Sequence, residues 1–247
     1  MADVPIQIHF CAGDLMSDHG DLGAGEFCLI RGADQLIVPA RITAHDGTER
    51  QADQVNCLTF LSPAGQIQRQ WSDRKAFYVT PPTDNAQFFT CEAELSDCYR
   101  HPNEGSPVTS YRRAILWQKP DVLIVYDRVV KKNALTKARW HINAPLSATP
   151  SMMRWDVGES SLEWSVVLPV ASQMLRVPQM LGTPLAGTTT KTLSSYDLQV
   201  QEAGGTLSVE FLNVFQALPK GGVPKPVTRT GNIISVGGVA VWVLPAQ

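Results

Sequence analysis

At 247 residues and 44% hydrophobic side chains, the chain has material for one large all-β domain or two small ones with a sizeable core. Its 21 basic and 23 acidic side chains leave a formal charge of −2 with no long run of either sign, which gives no electrostatic reason to expect a nucleic-acid partner. No stretch approaches the roughly 18 apolar residues of a membrane helix, and MADVPIQIHFCAGD has no basic segment leading into an apolar one. A soluble chain without an export signal and without a membrane partner is therefore expected, its compartment left open.

In chain order, VPIQIHF (4–10) alternates apolar and polar residues and predicts a half-buried strand. SDHGDLGAGEF (17–27) follows, with three acids, a histidine and three glycines ahead of the strand-like run FCLIR. Alternation returns at VNCLTFL (55–61) and QFFTCEAEL (87–95). In YRRAILWQKPDVLIVYDRVV (111–130), two apolar runs flank Lys119-Pro120-Asp121 and predict a β-hairpin. Proline presets the turn angle and Asp can bond back to the following amides. SLEWSVVLP (161–169), TLSVEFLNVF (206–215) and VAVWVLP (239–245) are further strands. LGTPLAGTTTKT (181–192) and LPKGGVPKPVTRTG (218–231), rich in Gly, Pro and Thr, read as long surface loops. No window of twelve residues holds a helical period free of breakers. One large antiparallel all-β sandwich of about fifteen strands, spanning 1–247 as a single domain, is the expected fold.

Cys11, Cys28, Cys57, Cys91 and Cys98 form no CxxC pair and sit mostly among strand-like apolar residues, as buried free thiols do. A Cys91–Cys98 disulfide is open to an oxidising compartment, and the odd total leaves at least one thiol unpaired.

The chemistry-bearing residues are few. Gly20, Gly23 and Gly25 precede a strand, whereas phosphate loops of the GxGxxG or GxxxxGK[ST] kind lead into a helix, so that reading fails on context. Asp18, His19 and Asp21 can share a metal ion or a sugar hydroxyl, with His45 and Asp46 as partners from the next loop; equally, Asp and Gly are good turn formers. His141, between Trp140 and Ile142, faces opposite to both and suits a structural role, and His9 and His101 have no polar cluster around them. Trp71, Phe77 and Tyr78 can stack on pyranose rings or fill the core.

SDHGDLGAGEFCLIRGADQLIVP resembles the start of the β-sandwich domain of heparinase II/III-like polysaccharide lyases, whose pattern is His-x-His-x-Asp-x-Gly-x-Phe and then a strand. On that frame His19 matches the first histidine, Gly25 the glycine and Phe27 the aromatic. YRRAILWQKPDVLIVYDRV, ARWHINAP and VEFLNVFQAL resemble later segments of the family in the right order. The resemblance implies a part in β-elimination on acidic, uronate-containing polysaccharide. A base takes the proton beside the carboxylate, a neighbouring group stabilises the charge, and an acid protonates the leaving oxygen. It also implies an α-helical toroid that supplies most of those groups, as another domain or a partner chain, since nothing in this chain matches it.

His19 is the catalytic candidate under this resemblance, able to neutralise the carboxylate or relay a proton. Asp18, Asp21, His45, Trp71 and Tyr78 are the substrate-binding candidates. Family members that hold a structural zinc take its ligands from positions that correspond here to Asp21, Val38 and Val55, and Gly23 replaces the motif aspartate. Two valines cannot ligate a metal that wants about four ligands. The expectation is a degenerate zinc site, no cofactor, and little or no lyase activity by this chain alone. The competing reading is a non-catalytic carbohydrate-binding or structural sandwich.

Overall fold

The computed structural model describes residues 4–12, 23–38, 56–71, 74–145, 147–148, 153–185 and 188–244, side chains of 179–194 aside. Their regular structure is almost entirely antiparallel strand, eighteen strands in all. In chain order they are β1 (Ile6–Phe10), β2 (Phe27–Arg31), β3 (Asp34–Ile37), β4 (Leu58–Leu61), β5 (Ile67–Gln68), β6 (Phe77–Asp84) and β7 (Phe88–Glu94). After a 3-10 turn at Ser96–Tyr99 come β8 (Val108–Gln118), β9 (Val122–Lys131), β10 (Lys137–Pro145), β11 (Arg154–Val157), β12 (Ser160–Leu168) and β13 (Ser172–Leu185). The last are β14 (Thr188–Glu202), β15 (Ser208–Pro219), β16 (Val227–Thr230), β17 (Ile233–Val236) and β18 (Val239–Val243).

A seven-stranded sheet, β11-β12-β15-β9-β8-β7-β6, and a five-stranded sheet, β13-β14-β10-β4-β5, are flanked by the three-stranded sheets β1-β2-β3 and β16-β17-β18. The expected sandwich of about fifteen strands is borne out as an all-β antiparallel fold. Its core is aromatic. Trp140 of β10 meets Trp164 of β12 at 5.7 Å and Phe215 of β15 at 6.1 Å, and Phe27 of β2 lies 6.1 Å from Trp140. The small sheet β1-β2-β3 shares this core through Phe27, Leu29, Leu36 and Ile37. Rings that bury this much apolar area dominate the energetics of such a layer.

A second apolar cluster forms where β16-β17-β18 lies over the outer face of the seven-stranded sheet, joining Ile234 and Val236 to Leu116, Ile124, Tyr126, Leu212 and Val214. That cover explains why VLIVY in β9 is apolar without alternation: both faces of the strand are buried there. At one end of the sandwich, Lys131 Nζ donates to Glu202 Oε1 (2.5 Å) and Thr136 O (2.6 Å), and Glu202 Oε1 also accepts the Ala138 amide (2.7 Å). This fully buried pair ties the end of β9 to β14 across the layers.

Two expectations change. LGTPLAGTTTKT is not a long loop: β13 and β14 pair through it, from Ser172↔Glu202 to Leu185↔Thr188. Its threonines, β-branched and strand-prone, outweigh the Gly and Pro in its composition. In the second loop, Val227–Thr230 forms β16. The 111–130 hairpin is present, Gln118 opposite Val122, with Lys119–Pro120 cis. The Asp121 carboxylate faces Lys225 Nζ at 3.8 Å instead of the following amides.

Among the cysteines, Cys57, Cys91 and Cys98 are buried, Cys28 is half-buried, Cys11 is exposed, and all five are free thiols, so the Cys91–Cys98 disulfide is not formed. The Cys98 thiol instead donates to Lys75 O at 3.4 Å. Burial pushes the Cys91 thiol up to about 12 and Cys57 and Cys28 upward as well. Only the thiolate attacks a disulfide reagent. Native protein is therefore expected to show one fast-reacting thiol, lost in Cys11→Ser, while Cys57, Cys91 and Cys98 react only on unfolding; titration with an aromatic disulfide checks this.

Candidate functional site

The described part of the glycine-rich motif begins at Gly23. His19, Asp18, Asp21, His45 and Asp46 lie outside the described residues. From Ala24 onward nearly every backbone polar group is clamped. The Gln70 carboxamide accepts from Ala24 N–H (2.9 Å) and donates to Ala24 O (2.8 Å), and the Cys57 thiol donates to the same carbonyl. Gly25 N–H donates to Cys11 O (2.6 Å), and Cys11 N–H donates to Glu26 O (2.9 Å). Arg113 Nη1 donates to Gly25 O (2.6 Å), and Asn56 Nδ2 to Phe27 O (2.7 Å).

Gly25 has φ +84°, and a Cβ there would sit 2.6 Å from Leu95 Cδ1 and 3.6 Å from Arg113 Cδ, so only glycine fits. Residues 24–27 thus form a firmly held mount. The sequence placed Gly25 and Phe27 in the motif but gave no sign of Gln70, Cys57 or Arg113.

Arg113 is the centre of this mount. Its Nε and Nη2 donate to Asp127 Oδ1 (2.6 Å) and Oδ2 (3.0 Å), directly opposite in the β8–β9 register, and its Nη1 also reaches Asn56 O (2.7 Å). Tyr111 Oη and Trp140 Nε1 complete the carboxylate's partners at 3.0 and 2.8 Å. Burial alone would lower the guanidinium's pKa, but the charge and hydrogen bonds of Asp127, together with Tyr111 and Cys57, more than offset it, and the net shift is upward. Burial drives the Tyr99 and Tyr111 hydroxyls well above their usual range, so both stay neutral.

At the positions matched to zinc ligands, Val38 is buried, with its carbonyl accepting from Asn56 Nδ2 (2.8 Å). Val55 lies outside the described residues. No group of three His, Cys, Asp or Glu able to hold a metal occurs among the described residues.

The aromatic candidates separate. Tyr78 contacts Phe10 at 6.3 Å on the edge strand β6, whose residues are all exposed, Phe77 included. Burial raises the Tyr78 hydroxyl's pKa. Trp71 belongs elsewhere, its ring perpendicular to that of His101 at 4.2 Å and 82°. With Gln66, Gln68, Arg69, His101 and Glu104 it lines a cavity of about 360 Å3. Gln70, the neighbour of Trp71, is the residue that grips Ala24, so this cavity and the glycine-rich turn share one support.

Two further polar arrangements went unseen in the sequence. On the outer face of the five-stranded sheet, His141 Nδ1 hydrogen-bonds Asp197 Oδ2 (2.9 Å) and Nε2 hydrogen-bonds the Thr59 hydroxyl (2.8 Å). The order hydroxyl–imidazole–carboxylate is that of a nucleophilic triad. All three are buried, Thr59 at 2% exposure, so the hydroxyl is sealed from substrate and the network is structural, as expected for His141. Alternation gave the face of His141 but not that this face is covered.

Across β7-β8-β9-β15, Glu94, Arg112, Arg128 and Glu210 lie side by side beside a cavity of about 300 Å3. Two arginines directly opposite repel. The row tolerates them because Arg112 pairs with Glu94 (3.0 Å) and Arg128 with Glu92.

No family model matches the chain, and no curated protein matches it. Solved structures do. The chain superposes on a heparinase III gene product with a TM-score of 0.70 at 14% identity, over 96% of this chain and 38% of that one. It superposes on the heparan sulfate lyase HepC from Pedobacter heparinus with a TM-score of 0.71 at 11% identity, over 97% of this chain and 40% of that one. A third structure, heparinase III, gives 0.62 at 12% identity over 90% of this chain and 35% of that one. The chain thus has the fold of a part of these proteins and spans well under half their length.

Proposed function

We propose that this chain is a polysaccharide-lyase-type β-sandwich that binds acidic polysaccharide and performs little or no β-elimination unaided. The observation that carries the reading is the superposition over 96% of the chain on heparinase III, at a TM-score of 0.70. The firmly held mount beneath the glycine-rich turn supports it, because precise anchoring is what a binding or catalytic turn needs and a solvated bend does not. In this reading His19 is the sandwich's contribution to the cleft, with Asp18, Asp21, His45 and Tyr78 as contacts to uronate or sugar hydroxyls. The base, acid and remaining charge stabilisation come from an α-toroid, as another domain or a partner chain.

β-elimination needs those groups in mutual register, and each acid or base contributes about two to four powers of ten in rate. The chain alone is therefore expected to give no enzyme-like release of unsaturated uronate from heparan sulfate, alginate or related polymers, followed by ultraviolet absorbance. Robust turnover abolished by His19→Ala would overturn the non-catalytic part of the reading, and turnover only on adding a toroid-bearing chain would establish a two-part enzyme.

A further inference from the structure

We propose that the cavity lined by Trp71 is a saccharide subsite for a single anionic pyranose residue, its ring against the indole and its carboxylate or sulfate toward Arg69. The proposal rests on the carbohydrate reading above and gives that reading a location among the described residues, apart from the Tyr78 edge.

At about 360 Å3 the cavity lies in the range of small-ligand sites, about 300–1,000 Å3. Trp140, Trp155 and Trp164 are sealed in the core, whereas Trp71 is 36% exposed. An indole left half in water in a polar-rimmed cavity offers the flat apolar face that the C–H side of a pyranose requires.

The residue is anchored from two sides: the Trp71 backbone N–H donates to Cys98 O (2.8 Å), its neighbour Gln70 is locked onto Ala24 and Tyr99, and the indole packs perpendicular to the His101 imidazole. His101 is fixed in turn, since its Nδ1 accepts the amides of Asn103 (3.1 Å) and Glu104 (2.9 Å). In the neutral ring that leaves the proton on Nε2, so His101 offers a donor of settled position. A site ordered before the ligand arrives loses little entropy on binding.

The rim supplies the complementary chemistry. The Gln66 and Gln68 carboxamides each present donors and acceptors for hydroxyls, and Glu104 is an acceptor. Among the described residues, Arg69 is the one Lys or Arg lining the cavity. Its guanidinium has five N–H donors, so a protein partner leaves others for a carboxylate or sulfate. With one cation against one carboxylate, recognition is local, in keeping with a chain whose net charge is −2.

The test is 15N NMR of the full chain, following in wild type the Trp71 indole N–H signal, assigned by its absence in Trp71→Phe, and in every variant the backbone amides of Gln68, Arg69, His101 and Glu104. The titrants are an unsulfated oligouronate, a sulfated heparan oligosaccharide and a neutral cello-oligosaccharide. A saturable shift with one or both anionic ligands, at least about tenfold weaker affinity in Trp71→Ala, and loss of the preference over the neutral ligand in Arg69→Gln are expected; whichever anionic ligand binds tighter identifies the substituent. Circular dichroism of each variant confirms its fold. Binding by wild type that Trp71→Ala leaves unchanged would overturn the subsite while the polysaccharide reading stands. Equal binding of the neutral ligand would overturn the anionic assignment, and no binding of any ligand by wild type would overturn both readings.

Discussion

Arg113→Met is expected to destabilise the protein by about 3–5 kcal/mol, the cost of breaking a buried ion pair by removing one partner. Arg113 and Asp127 are both 0% exposed, so the substitution strands a carboxylate where water cannot reach it. It also removes the donor from Gly25 O and Asn56 O, and a buried acceptor left unmade costs about 1–3 kcal/mol. Asp127→Asn added to Arg113→Met removes the stranded charge while keeping an acceptor for Tyr111 and Trp140, and is expected to recover part of the loss. Urea denaturation of the two variants checks both steps. A loss under about 1 kcal/mol for the single variant would mean that the pair does not hold the glycine-rich turn as described.

Trp140→Ala is expected to cost a similar amount, about 3–5 kcal/mol, for different reasons. The indole is fully buried between Phe27, Trp164 and Phe215, so truncation leaves a cavity that three other rings on three strands cannot easily fill. It also withdraws one of the four hydrogen bonds to Asp127. Trp140→Phe separates the two effects, keeping most of the packing and losing the N–H, and is expected to cost about 1–3 kcal/mol. If Trp140→Phe proved as damaging as Trp140→Ala, the hydrogen bond and not the ring stack would dominate.

Much of this was legible in the sequence, and the gaps have physical causes. Alternation found β1, β7, β12 and β15, and Lys119-Pro120-Asp121 fixed the β8–β9 hairpin, because both signals act between neighbouring residues. Alternation could not say that the outer faces of β9, β10 and β15 are covered, since that depends on other strands. The stretch 181–192 was misread as a loop because composition was weighed over pairing.

At the candidate site, Arg113 and Asp127 both sit in the hairpin segment that carries the family resemblance, yet their roles appear only when register sets them opposite each other. Trp71 was legible as a ring that could stack on sugar or fill the core. Its partners Arg69 and His101 were not, because β5 and the 101–105 turn meet only in the folded chain. His101 seemed to lack a polar setting for the same reason.

The most direct test of acidic-polysaccharide binding is retardation of the full chain in native gels cast with heparan sulfate, with a polyuronate, with neutral dextran or with polyglutamate, at about 0.15 M ionic strength, where the Debye length is about 8 Å. Retardation by heparan sulfate or the polyuronate, with dextran and polyglutamate inert, is the expected result, since the proposed recognition requires both the sugar ring and its anionic group. Mobility unchanged by every polymer, or polyglutamate as effective as the uronate polymers, would contradict it.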